Sequence, residues 1–130
     1  IVLSQVMLPN QANVAGNVHG GEIMKLMDSA AGAVAIRYAK ENCVTARVDE
    51  LEFHLPIFVG ALVTCTASIV YVGRTSMEVL VKQRIWYLIP AHRKLCPHTL
   101  QWSAWAKTEG RRAYRNIHRK QMMKNGCSKK

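Results

Sequence analysis

One hundred and thirty residues, 49% of them hydrophobic, suit a single domain with a sizeable core, and no apolar run reaches the length of a membrane span. The formal charge of +10 is unevenly placed: residues 1–82 hold six Lys/Arg against seven Asp/Glu, while 83–130 hold twelve against Glu109 alone. The basicity belongs to the C-terminal part, and the first 82 residues have the charge of an ordinary soluble domain rather than of a nucleic-acid binder.

Residues 1–8 are apolar and run into Pro9-Asn10, the pattern of a strand entering a turn. The start has no basic n-region, so it reads as a strand entered part-way and not as a signal peptide. Residues 10–21 are rich in Asn and Gly, which is loop chemistry. Residues 22–41 then carry the strongest helical signal. At 100° per residue, Ile23, Met24, Met27, Ala30, Ala31, Val34, Ala35 and Tyr38 gather on one broad face. Glu22, Lys25, Ser29, Arg37 and Lys40 gather opposite, and Asn42 is a stop signal. Such a helix is about 30 Å long.

Residues 43–53 read as a strand, with Val44, Ala46 and Val48 expected on a buried face and Thr45, Arg47 and Asp49 on the other. His54-Leu55-Pro56 breaks it. Residues 60–72 form the best strand, rich in Val, Ile, Thr and Tyr. Gly73-Arg74-Thr75-Ser76 is a turn, and residues 77–82 start the return strand of a hairpin. A strand, a long helix and then antiparallel strands define an α+β domain with the helix on one face of the sheet. From about Gln83 no sustained period of 2 or 3.6 is found, and residues 83–130 are expected to be a basic tail, poorly ordered at its end.

The four cysteines, Cys43, Cys65, Cys96 and Cys127, form no CxxC unit, which points to a reduced, cytoplasmic protein, with a mitochondrial one as the alternative. Cys96, His98, His118 and Cys127 are the nearest thing to a metal cluster, and their spacing fits no metal site. No GxSxG nucleophile elbow is present.

The run Ala15-Gly16-Asn17-Val18-His19-Gly20-Gly21, followed by Met24-Lys25-Leu26-Met27-Asp28, resembles the acyl-CoA hydrolase branch of the hotdog superfamily. So do Val44-Thr45-Ala46-Arg47-Val48-Asp49, Phe53-His54 and Val72-Gly73-Arg74-Thr75-Ser76-Met77, in family order and spacing over about 80 residues. The resemblance implies a hotdog fold, a long central helix wrapped by a curved antiparallel sheet, over residues 1–82. It implies hydrolysis of fatty acyl-CoA to free fatty acid and coenzyme A, with no cofactor because coenzyme A is part of the substrate. It implies self-association as hotdog dimers, often three of them, and catalytic groups at the positions of Asn17 and Asp28.

Thioester hydrolysis needs a water nucleophile, a base for it and donors for the oxyanion. Gly20 and Gly21 open a helix whose first N–H groups lack internal partners, and glycine lets a carbonyl approach closely. A plain helix-entry turn needs the same residues. Asp28 lies at the edge of the apolar face beside small residues, where partial burial would suit a base or a solvated aspartate would be ordinary. Asn17 can orient water or the substrate, and is also a common turn residue. Asp28 is about 10–12 Å along the helix from its start, so two helices antiparallel across a two-fold axis would pair Asn17 of one chain with Asp28 of the other. Arg74, Thr75 and Ser76 offer a cation and two hydroxyls for coenzyme A, or simply a hairpin turn.

Residues 83–130 do not resemble the strands with which the family continues, and an altered reading frame or alternative exon would account for the abrupt end of the likeness near Lys82. Missing strands would leave an apolar edge open. They would also favour an alternative function, a non-catalytic acyl-CoA-binding or oligomerisation module.

Overall fold

The computed structural model of the chain describes residues 1–49, 51, 53, 55–87 and 99–108. Its elements are strand β1 (Val2–Val6), helix α1 (Gly20–Ala39) and strands β2 (Cys43–Val48), β3 (Ala61–Val72), β4 (Ser76–Tyr87) and β5 (Thr99–Thr108). The five strands form one curved antiparallel sheet in the order β1-β3-β4-β5-β2, with α1 packed on one face. This is the α+β arrangement, with the helix on one face, that the sequence pattern leads one to expect, and the hotdog fold that the family resemblance implies.

The inner side of α1 is mostly alanine. Ile23, Met27, Ala30, Ala31, Ala35 and Ala39 are buried, and small side chains let the helix approach the sheet closely. Beneath it lie Val63, Cys65 and Ala67 of β3 and Met77, Val79, Val81 and Ile85 of β4, each buried. Alternate residues face α1 because successive side chains on a strand point to opposite sides. The helix begins and ends two residues before the expected limits. Its stop is Lys40, left-handed at φ 60°, rather than Asn42. Met24, expected on the buried face, is exposed.

The sheet continues beyond Lys82. β4 runs to Tyr87, and β5 pairs with β4 on one side and β2 on the other. Residues expected to hold no strand therefore supply the fifth. Its inward positions Ala104 and Ala106 are buried but small, so their alternation is weak in a hydrophobicity pattern. Residues 109–130, with the metal-like cluster formed by Cys96, His98, His118 and Cys127, lie outside the described residues, as does His54.

The buried face expected for β2 is also corrected. Only Cys43 is buried, while Val44 and Val48 are 47% and 37% exposed. Two causes act together. β2 is an edge strand, and its register with β5 shifts between Thr45 and Arg47. A bulge of this kind breaks strict alternation. Thr45 reaches α1, whereas Arg47 lies over the Trp105 ring at 5.6 Å and pairs with Asp49 at 3.0 Å.

One inward position on β4 is polar. Gln83 is fully buried, and neither its Oε1 nor its Nε2 finds a hydrogen-bond partner among the described residues. An orphaned buried amide costs about 1–3 kcal/mol. Gln83→Met keeps the volume and removes the orphan, so it should raise stability by about 1–2 kcal/mol. A urea midpoint that stays level or falls would show that the amide is satisfied.

Candidate active site

The loop before α1 is built around Asn13. Its Oδ1 accepts the N–H groups of Ala15 at 2.9 Å and Asn17 at 3.2 Å, and its own N–H donates to the Asn17 carbonyl at 2.7 Å. Gly16 turns the chain at φ +83°, a conformation that a side chain would strain. The next residues are fastened to the body of the protein. Val18 N–H donates to the Ile57 carbonyl at 2.8 Å, and His19 N–H to the Gln11 carbonyl at 2.8 Å.

His19 then caps the helix. Its Nδ1 accepts the Gly21 N–H at 3.0 Å. Glu22 in the first turn complements the positive end of the helix and accepts from Gln11 Nε2 at 3.2 Å. The two glycines therefore differ. The Gly21 N–H is occupied by the cap, and a Cβ on Gly21 would stand 3.1 Å from His19 Nδ1. The Gly20 N–H has no partner among the described residues. A Cβ on Gly20 would first meet the Phe53 ring, at 3.5 Å, which is ordinary contact.

A cleft of about 250 Å³ opens at this helix end. Asn13, Asn17 and Gly20 give it a polar side; Val18, Ile23, Phe53, Leu55, Pro56 and Ile57 make the rest apolar. Asn13 escaped the sequence reading because an Asn in an Asn/Gly-rich loop looks like turn chemistry. Its Oδ1 is taken by two backbone donors, which fixes the amide and leaves Nδ2 as the group free to donate.

Asp28 stands apart from the cleft, eight residues after Gly20 and so about 12 Å along α1. It is exposed in the single chain, and its Oδ1 accepts the Thr45 hydroxyl at 2.6 Å. Thr45 was read only as a strand residue; seventeen positions separate it from Asp28, and pairing of α1 with the edge strand is invisible in local pattern. Arg74 and Thr75 form the β3–β4 turn with exposed side chains, and Ser76 already belongs to β4. That turn is separated from the cleft by the full twelve residues of β3, about 40 Å of strand. One chain thus brings together Asn13, Asn17 and Gly20, and leaves both Asp28 and the Arg74–Ser76 turn elsewhere.

Among the described residues there is no group of three His, Cys, Asp or Glu able to hold a metal. Cys43 and Cys65 are buried free thiols, and burial pushes Cys65 up to about 11, which suits a core residue better than a nucleophile.

A curved antiparallel sheet folded around one long helix, with a half-polar cleft at the helix's amino end, defines a hotdog-fold protein. Residues 15–85 match the sequence model of the thioesterase superfamily, and the chain belongs to that superfamily. It is 43% identical over 82 residues to protein VdlD of Helicobacter pylori, covering 63% of this chain and 47% of that protein. It is 33% identical over 107 residues to the cytosolic acyl coenzyme A thioester hydrolase of Homo sapiens, covering 78% of this chain and 28% of that one. The chain thus spans less than half the length of these curated relatives. Its fold matches a hexameric hotdog fold thioesterase of Campylobacter jejuni with a TM-score of 0.75 at 26% identity, over 90% of this chain and 92% of that one.

Because the cap rests on a side-chain acceptor, His19→Ala should lower stability by about 1 kcal/mol. His19→Asn, which can accept the same N–H, should recover most of it. Thermal unfolding of the three proteins side by side checks this, and equal midpoints would remove the cap from consideration.

Proposed function

We propose that this chain hydrolyses the thioester of fatty acyl-CoA, releasing free fatty acid and coenzyme A. The observation that carries the reading is the half-polar cleft at the start of α1, where the Gly20 N–H and the Asn13 amide offer donors beside an apolar wall. Membership of the thioesterase superfamily and the resemblance to acyl coenzyme A thioester hydrolases support it. The carbonyl oxygen takes its place against the helix end, where the partial positive charge of the N-terminus stabilises the developing oxyanion.

The second half of the site comes from another copy. Two α1 helices antiparallel across a two-fold axis put Asp28 of the partner subunit opposite Asn13, Asn17 and Gly20. The 12 Å between Gly20 and Asp28 within one chain makes such sharing necessary. Asp28 takes a proton from water, the hydroxide oxygen bonds to the carbonyl carbon, and the C–S bond breaks as the coenzyme A thiolate leaves and is protonated. Thr45 holds the Asp28 carboxylate in one orientation. Asn13 or Asn17 orients the carbonyl or the water. Arg74, Thr75 and Ser76, remote in their own chain, reach coenzyme A only from a neighbouring subunit. Three dimers gathered into a hexamer would provide such neighbours, and the Campylobacter jejuni protein of this fold is hexameric.

No cofactor is needed, since coenzyme A arrives as substrate. No described helix is long and apolar enough to cross a membrane, and free Cys43 and Cys65 suit a reducing compartment such as the cytoplasm. The non-catalytic alternative rested on missing strands after residue 82; β5 supplies one strand there, and no observation favours that alternative over hydrolysis.

Thiol release from acyl-CoA tests the reading. Asp28→Ala should slow it about 100-fold or more, and Asn13→Ala and Asn17→Ala should separate the two amides, with about a 100-fold loss at the one that binds the oxyanion. Thr45→Val should cost about 10-fold or more, the worth of a hydrogen bond to a charge. Mixing Asp28→Ala with the slower of the Asn variants should restore activity, because one of the two mixed sites is intact. Full rate in Asp28→Ala, or no recovery on mixing, would sink the shared site.

A further inference from the structure

The apolar part of the cleft is unevenly covered. Its floor, Val18, Ile23 and Ile57, is 6%, 0% and 4% exposed. Its rim, Phe53 and Leu55, is 42% and 40% exposed in the single chain, so two large apolar side chains stand partly uncovered beside the donors. The Phe53 ring also lies against Gly20 at the helix start. Its Cε2, Cζ and Cδ2 lie 3.5, 3.7 and 4.0 Å from where a Cβ on Gly20 would be. Phe53 and Gly20 line the same cleft as this floor, so an acyl chain whose carbonyl sits at the Gly20 N–H lies beside the ring.

We infer that Phe53 is the residue that sets acyl-chain length, by walling a cleft sized for a medium-length chain. The inference rests on the acyl-CoA reading above and adds the substrate class. The size follows from volume. An apolar cavity of about 150 Å³ takes benzene, with six carbons, so the cleft of about 250 Å³ holds about ten carbons in all on the same scale, the carbonyl carbon among them. Each methylene taken fully out of water tightens binding by about fourfold. Affinity therefore rises along the acyl series until the cleft is full, at about ten carbons, and then levels off. Removing the ring lengthens the cleft and loosens its grip on short chains.

The test measures binding of non-hydrolysable S-alkyl-CoA thioethers, from four to sixteen carbons, to the full chain and to its Phe53→Ala and Phe53→Leu variants. Because no turnover is required, failure of this inference and failure of the hydrolase reading are separable. The half-exposed position of Phe53 in the single chain suits both variants to folding, which circular dichroism checks. For the unaltered chain, affinity should climb to about ten carbons and then flatten. Phe53→Ala should bind four- to eight-carbon ligands about fivefold or more weakly and should move the plateau to longer chains, with Phe53→Leu between. The same profile in all three proteins, a uniform loss at every length, or no chain-length dependence in the unaltered chain would each overturn the inference. A shifted binding profile without any thioester cleavage would leave it standing and remove the hydrolase reading instead.

Discussion

Everything in this fold depends on how closely α1 lies in the sheet. Ala30, Ala31, Ala35 and Ala39 supply no bulk between the helix and the strands beneath it. The axis is then fixed by its two larger buried residues, Ile23 and Met27, near the amino end. That end is also the most heavily tied. The Val18 and His19 backbones and the Gln11–Glu22 contact fasten it to the loop and to residue 57. A helix anchored in this way holds the Gly20 N–H, without a partner among the described residues, at a defined place, which is what an electrostatic site requires.

Helix and strands were legible in the sequence because each buries one side against the other. The 3.6-residue stripe of α1 and the period of two in β3 and in the first half of β4 are direct imprints of that packing. β2 and β5 were harder for opposite reasons. β2 carries a convincing alternation, but a bulge between Thr45 and Arg47 changes which side its residues face, and no local signal marks the bulge. β5 carries true alternation, but in Ala104 and Ala106, whose small side chains leave little trace. Its position is set by two neighbouring strands rather than by its own residues.

The candidate site divides along the same line. Features within a few residues of one another, such as the Gly20-Gly21 helix entry and the Asn-rich loop, could be found by reading along the chain. Features made by contact at a distance could not. The Thr45–Asp28 pair joins elements that no motif connects. The His19 cap separates two glycines that look equivalent on paper, because the Gly21 N–H is already spoken for and the Gly20 N–H has no partner among the described residues. Between the two loop asparagines, only the hydrogen-bond pattern reveals that Asn13 builds the loop in which Asn17 sits.

Gln83 has a bearing on the life of the molecule as well as on its architecture. Natural folds exceed their unfolded states by only about 5–15 kcal/mol, so an amide sealed without a partner among the described residues removes an appreciable share of the margin. The opened form becomes more populated, and quality-control proteases act on that form. A single polar side chain beneath the helix thus ties the amount of protein a cell can maintain to the composition of one strand, quite apart from how well each surviving molecule performs its chemistry.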